Sequence, residues 1–142
     1  MRNTCELVEG HLLEIRVAAG YRSVADINEM IDMIAQNVAT LPADAKYAIA
    51  ADWRAVHLMA PDVAVRAREM LANTNPRVSR SSILTLPENP LTNLQVVRLI
   101  REAENPHRRH FTSAREQHAW LSEVLTEKES ARLWEFLGLA SK

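Results

Sequence analysis

The side chains best suited to chemistry follow a short apolar segment near the middle of the chain. Residues 47–53, Tyr-Ala-Ile-Ala-Ala-Asp-Trp, are almost entirely apolar and predict a strand that is buried on both faces. Ligands and partners of open α/β sheets bind beyond the carboxyl ends of such strands, where loops begin. The alternative is that Asp52 only caps a turn or pairs with Arg54. The charged residues at this end form the candidate binding segment 52–66, namely Asp52, Arg54, His57, Asp62 and Arg66.

Two observations argue against catalysis. His57 and Asp62 have the residue types of an acid–base pair, but no nucleophile precedes them in a recognisable strand-to-helix elbow. The three glycines, Gly10, Gly20 and Gly138, are far apart, whereas a loop that cradles phosphate needs glycines close together. We therefore expect no enzymatic activity and no nucleotide cofactor.

Metal and disulfide chemistry are disfavoured as well. His107, His110 and His118 lack the tight ligand pattern of zinc sites, and no cysteine lies near them. Cys5 is the only cysteine, so no internal disulfide can form, which fits a reducing cytoplasm. The sequence has no apolar run of the roughly 20 residues that span a bilayer, and its N-terminus lacks the apolar stretch of a signal peptide. We expect a cytoplasmic protein without metal or cofactor.

Positive charge is concentrated in the middle of the chain. Residues 46–118 contain ten Arg, one Lys and seven acidic residues, whereas residues 1–45 contain three Arg and seven acidic residues. Arginine pairs bidentately with carboxylate or phosphate, so one interpretation is an acidic partner surface, and the other is solvated helix faces with salt bridges. Nucleic acid is disfavoured because the pI is about 6.5 and only 5% of residues are aromatic. The candidate basic patch consists of Arg98, Arg101, Arg108 and Arg109.

Strands and helices alternate along the chain. Period-two alternation and short apolar runs predict strands at 4–9, 11–19, 47–53, 78–86 and 109–112. Apolar residues at helical spacing, with capping residues or proline before them, predict helices that begin after Ser23, near Pro61, at Leu91, after Ser113 and after Thr126. This order predicts one α/β domain over residues 1–142. Its mainly parallel sheet has about five strands, with right-handed crossovers.

The C-terminal helix, predicted at 127–138, carries more apolar residues than one buried stripe needs. We expect Ala131, Trp134 and Leu137 to face the core, and Leu133 and Phe136 add further apolar surface. Either the helix docks deeply on its own domain, or part of this surface forms a homodimer.

The order of elements and several sequence stretches resemble the STAS/SpoIIAA-like family, and most closely the small bacterial STAS and CRAL-TRIO-like proteins. Residues 47–56 resemble the second core strand and its Asp-containing loop, and residues 80–86 resemble the third strand. Residues 109–111, followed by Glu116 and residues 119–121, resemble the terminal strand and its Trp-Leu helix. The resemblance covers residues 6–125 and rests mostly on packing residues.

The resemblance implies a non-enzymatic regulatory or signalling role. Domains of this family bind protein partners, and some are switched by phosphorylation of a serine at the start of the helix after the second core strand. Asp52 matches the acidic residue at the end of that strand. The switch position falls near Ala60-Pro61-Asp62, where there is no serine or threonine, so we expect no phosphoswitch.

The CRAL-TRIO relatives bind lipids. We therefore expect a protein partner at segment 52–66, with a lipid-like or nucleotide-like ligand on the same face as the alternative.

Overall fold

The computed structural model describes residues 1–73 and 75–139 of the chain. The strands are β1 (Thr4–Glu9), β2 (Leu12–Arg16), β3 (Tyr47–Asp52), β4 (Val78–Leu84) and β5 (Arg108–Phe111). The helices are α1 (Val24–Val38), α2 (Pro61–Asn73), α3 (Pro90–Glu102), α4 (Ala114–Ser122) and α5 (Glu127–Phe136). The predicted order of elements is confirmed.

The five strands form one sheet in the order β1-β2-β3-β4-β5. The β1–β2 pair is an antiparallel hairpin that turns at Gly10, which has a φ of +56°. The other three pairs are parallel, so each needs a crossover helix between its strands. The predicted α/β class with a mainly parallel sheet is therefore confirmed.

Helices cover both faces of the sheet. The crossover helices α1, α2 and α3 contribute Ile27, Val63 and Val96 to the larger apolar cluster on one side, the three-helix face. On the opposite side, the two-helix face, α4 and α5 contribute Leu121 and Leu133. Every residue of β3 is buried, as predicted for a strand covered on both faces.

The strand ends differ from the predicted ones. Strand β2 ends at Arg16 rather than at residue 19, and β4 ends at Leu84 rather than at residue 86. Their neighbour β3 ends at Asp52, which pairs with both Arg16 and Leu84, so the ladder stops at that level across three strands. Strand β5 begins at Arg108, one residue earlier than predicted.

The helix caps form largely as the sequence predicts. The hydroxyls of Ser23 and Ser113 accept hydrogen bonds from the backbone of residues 26 and 116. At Thr126 the capping box is complete, because Glu129 also accepts from the backbone of Thr126.

Helix α5 docks on the two-helix face, but not with all of the predicted residues. Leu133, Phe136 and Leu137 are buried, whereas Ala131 is exposed and Trp134 is half-buried. The prediction for Ala131 is therefore wrong. The helix is rotated so that Glu129 accepts from the backbone of His11 in the β1–β2 turn and Arg132 donates to Glu14, and this rotation turns Ala131 to solvent. No described helix is both long and apolar enough to cross a membrane.

Candidate functional site

Asp52 stands at the carboxyl end of the central strand β3, between two arginines. Nε and Nη2 of Arg54 donate to Oδ1 and Oδ2 of Asp52, both at 3.0 Å. Nη1 of Arg16, which is paired with Asp52 across β2 and β3, donates to Oδ2 at 3.0 Å. The backbone N–H of Arg54 adds a bond of 3.1 Å to Oδ1. The carboxylate is therefore saturated by its own chain.

These contacts determine the charge state of Asp52. Burial alone would raise its pKa, but the hydrogen bonds from Arg54 and the charges of Arg54 and Arg16 outweigh burial and lower the pKa below its usual range. The same bonds raise the pKa of Arg54. Asp52 is a buried, ionised anchor, and its oxygens are not presented as a base or as a metal ligand.

Arg16 also connects this cluster to the C-terminal helix. Its Nη2 donates to the backbone oxygen of Phe136 at 2.5 Å, and its guanidinium carbon lies 4.4 Å from the centre of the Phe136 ring. The end of α5 is thus held against the same strand end as Asp52.

The loop that leaves β3 is fixed against α3. Trp53, Val56 and Met59 are buried, whereas His57 is exposed. The side-chain amide of Gln95 on α3 accepts from the backbone N–H of Met59 and donates to its carbonyl, each at 2.9 Å. The loop therefore presents a defined surface.

The structure does not bring all five candidate residues together. Arg66 points toward α1, where its Nε donates to Asn28 at 2.8 Å, and its Nη1 pairs with Glu69 at 3.1 Å. Asp62 is exposed in the first turn of α2. Only Asp52 and Arg54 of the predicted set contact each other. This arrangement corresponds to the alternative interpretation of the sequence, in which Asp52 pairs with Arg54.

A groove between α2 and α3 lies next to this loop. It has a volume of about 330 Å³, and Met59, Pro61, Val65 and Gln95 contribute to its lining. At its far end Glu102 pairs with Arg98 at 3.1 Å and with Arg68 at 3.7 Å. The groove has mainly aliphatic walls and a charged end.

Large aliphatic side chains on the elements that line the groove face solvent. The exposed fractions are 56% for Leu58, 47% for Val65, 65% for Leu91 and 68% for Leu94. We call these four residues the aliphatic patch. The sequence contained a signal for part of it, because Leu91 and Leu94 fall outside the buried stripe of Val96, Leu99 and Ala103, but sequence reasoning did not use that signal.

The four arginines of the predicted basic patch do not share one surface. Arg108 is buried on the three-helix face, where its Nε donates to the hydroxyl of Ser81 at 3.2 Å. Arg109, the next residue on β5, points to the two-helix face and lies over Trp120, with 5.0 Å from its guanidinium carbon to the ring centre. Strand alternation separates these neighbours. The inclusion of Arg108 is therefore wrong, and Arg98 and Arg101 remain exposed on α3.

The histidines are separated and each has its own surroundings. Nε2 of His110 lies 2.6 Å from the hydroxyl of Thr85, which also contacts Asn93. Burial lowers the pKa of His110. His118 packs edge-on against Trp134 between α4 and α5, and His107 is exposed. Across residues 1–73 and 75–139, no group of three or more acidic, histidine or cysteine side chains is placed to hold a metal ion.

One side-chain cluster was not found by sequence reasoning. In a groove of about 620 Å³ between α4 and α5, the hydroxyls of Ser122 and Ser130 lie 2.7 Å apart, and Nε2 of His118 is 3.2 Å from the Ser130 hydroxyl. The arrangement of His118 and Ser130 resembles the histidine–serine pair of enzymes with a serine nucleophile. However, Nε2 also lies 2.9 Å from the carbonyl oxygen of Ser130, which can only accept a hydrogen bond. That nitrogen therefore carries the proton and cannot act as a base toward the hydroxyl.

No protein-family model matches the chain, and no curated protein matches it. The resemblance to the STAS/SpoIIAA-like family stays a prediction that rests on the order of elements and the stretches quoted above.

Proposed function

We propose that this protein is a non-enzymatic regulatory or signalling module that binds a protein partner. The binding surface consists of segment 52–66 and the exposed side of α3. The observation that carries the proposal is the aliphatic patch, because its four exposed side chains come from the elements that line the groove, and exposed apolar patches of soluble domains mark interaction surfaces.

The way the loop is held supports this use of the surface. Both backbone groups of Met59 bond to Gln95, and Asp52 holds Arg54 at the start of the loop. A surface that is already ordered loses little conformational entropy on binding, so its exposed side chains contribute more fully to affinity. Such a surface suits a partner that docks as a rigid body.

The charges around the patch indicate the chemistry of the partner. Arg98 and Arg101 are exposed on α3, next to Leu94. Arginines at the rim of an aliphatic surface favour a partner with apolar side chains bordered by carboxylates. Regulation by phosphorylation at the start of α2 is not part of the proposal, since residues 60–62 are Ala-Pro-Asp. A cytoplasmic location is part of it, and the single buried thiol of Cys5 supports that location.

A small-ligand function is the second candidate, and the same groove favours it. A volume of about 330 Å³ with mainly aliphatic walls is near the lower end of ligand pockets. A lipid-like chain fits such walls better than a nucleotide, because Gly-rich phosphate loops are absent from the sequence.

The test is a pull-down of the tagged protein from nuclease-treated native cytosol, read by mass spectrometry. Leu94→Asp places a charge in the aliphatic patch, and Asp62→Arg reverses a charge at its border. Val124→Asp is the matched control, because Val124 follows α4 and is also exposed, at 43%. Circular dichroism verifies that each variant is folded.

A near-stoichiometric protein that is lost with Leu94→Asp and retained with Val124→Asp supports the proposal. The proposal is wrong if the same partner binds all variants equally. If no protein is captured but native mass spectrometry of the purified protein shows a bound small molecule, and Leu94→Asp removes it, the second candidate is correct.

A further inference from the structure

A small cavity lies inside the core on the three-helix face. It has a volume of about 20 Å³ and lies between the sheet and helices α1 and α2. Most of its walls are apolar and come from residues such as Ile15, Ile49 and Met70. Three polar side chains also contribute to the walls, namely Tyr21, Ser81 and Arg108.

The hydroxyl of Tyr21 is the reason this cavity needs an occupant. Tyr21 is only 5% exposed, and its ring packs edge-on against Trp53 with ring centres 5.4 Å apart. Within the described residues, no protein atom forms a hydrogen bond with its hydroxyl. A buried hydroxyl that lacks a partner loses its hydration without compensation, so such groups are rare unless water bonds to them.

Ser81 offers a second bonding group at the same cavity. Its Oγ accepts from Nε of Arg108 at 3.2 Å, so its own O–H can donate to a further acceptor. Ser81 belongs to β4 and is 2% exposed, and Tyr21 lies in the connection between β2 and α1. The cavity is thus lined by a polar side chain of the sheet and by a polar side chain of the connection that leads into α1.

We propose that this cavity is a binding site for one ordered water molecule, which hydrogen-bonds to the hydroxyls of Tyr21 and Ser81. The size selects the ligand, because about 10–15 Å³ on this scale is enough for one water and an organic molecule needs far more. Both hydroxyls can donate as well as accept, which matches the bonding capacity of water. The site is distinct from the proposed partner surface, so its occupancy does not depend on that proposal.

A halide ion is the competing occupant of similar size. Arg108 contributes to the wall, and burial lowers the pKa of its guanidinium to about 10, which leaves it cationic at neutral pH. However, the apolar walls would remove nearly the whole hydration shell of an anion, at a cost much greater than for water.

The decisive measurement is a high-resolution crystal structure of the full chain grown in bromide. The expected result is one density peak within hydrogen-bond distance of the hydroxyls of Tyr21 and Ser81, with no anomalous signal from bromide. An anomalous peak there would show an anion, and an absence of density would show a dry cavity. Either of these results would overturn the proposal.

Tyr21→Phe tests the same site in solution. Removal of the hydroxyl deprives the water of one partner, so we expect the folding equilibrium constant to fall about fivefold, as for the loss of one hydrogen bond. Magnetic relaxation dispersion should show one fewer long-lived water. Tyr47→Phe is the control, because Tyr47 belongs to the same core but not to the cavity wall. If Tyr21→Phe is as stable as the parent and its count of long-lived waters is unchanged, the proposal is wrong.

Discussion

Arg54 turns back onto Asp52, two residues before it, and binds both carboxylate oxygens at 3.0 Å. Arg16 adds a third side-chain bond from the neighbouring strand. An acidic residue at the end of a central strand resembles a site for a ligand or a metal ion. In this chain Asp52 is a structural anchor, because its carboxylate connects the ends of β2 and β3 to the loop that follows β3.

The first prediction concerns the pH dependence of this anchor. A carboxyl group whose pKa is lowered by folding stabilises the native state above its unfolded pKa, and loses that effect as the pH falls through the folded value. We therefore expect Asp52→Asn to lower the free energy of unfolding by about 2 kcal/mol at pH 7. The difference should shrink as the pH falls below about 4, because the carboxyl group of the unfolded chain then takes up a proton while that of the folded protein stays ionised to a lower pH. Urea denaturation at both pH values measures it, and a difference independent of pH would contradict the ionised state.

The second prediction concerns the ion pair that docks α5. Glu14 is 4% exposed, and Arg132 donates to it twice, from Nε at 2.7 Å and from Nη2 at 2.9 Å. Arg132→Leu leaves the carboxylate buried without its partner, so we expect a loss of about 3 kcal/mol. Glu14→Leu with Arg132→Leu should recover most of that loss, because no buried charge is left. A double-mutant cycle from chemical denaturation measures both effects, and additive losses would contradict the pairing.

The order of elements could be predicted from the sequence because it depends on local patterns. The period of apolar residues, the caps at Ser23 and Thr126 and the proline at the start of α2 are all short-range features. The ends of the strands were predicted less accurately. Strand β2 ends at the level where its neighbour β3 ends, and not where its own alternation of apolar and polar residues ends.

The candidate site was harder to predict, because neighbours in sequence need not share a surface. Segment 52–66 passes through a strand end, a loop and a helix, and the turn of α2 directs Arg66 toward Asn28. Arg108 and Arg109 separate to opposite faces because they alternate on β5. The bond between Glu14 and Arg132 joins residues that are distant in the chain, and no local pattern indicates it.

The third prediction concerns the β1–β2 turn. Gly10 has a φ of +56°, and a Cβ at this position would overlap Oε2 of Glu129, the atom that accepts from the backbone of His11. Gly10→Ala should therefore displace Glu129 in addition to straining the backbone, with a total loss of about 3 kcal/mol. Gly138→Ala is the control, because its φ of +71° brings the same strain but its Cβ has no atom within 4 Å. Equal losses in thermal unfolding would contradict a role for the contact.

The fourth prediction concerns the single thiol. Burial, with a smaller effect from the charge of Glu6, raises the pKa of Cys5 to about 12, so almost no thiolate exists at pH 8. We expect the folded protein to react with a thiol reagent far more slowly than a model thiol does. The rate should rise to the ordinary value in denaturant. Fast modification of the native protein would show that β1 opens at the edge of the sheet.

The fifth prediction concerns the loop that carries the proposed binding surface. Gln95 is the side chain that holds Met59, and it forms one bond to each polar group of that residue's backbone. In the variant Gln95→Leu the new side chain has a similar volume but cannot form these bonds, so the N–H and carbonyl of Met59 lose their partners.

We expect the free energy of unfolding of this variant to fall by about 1–2 kcal/mol. We also expect the amide hydrogen of Met59 to exchange much faster, with the amide of Ala103, the C-cap residue of α3 that bonds to Leu99, as the internal control. An unchanged exchange rate at Met59 would show that packing of Val56 and Met59 alone orders the loop. The partner surface would then not depend on Gln95.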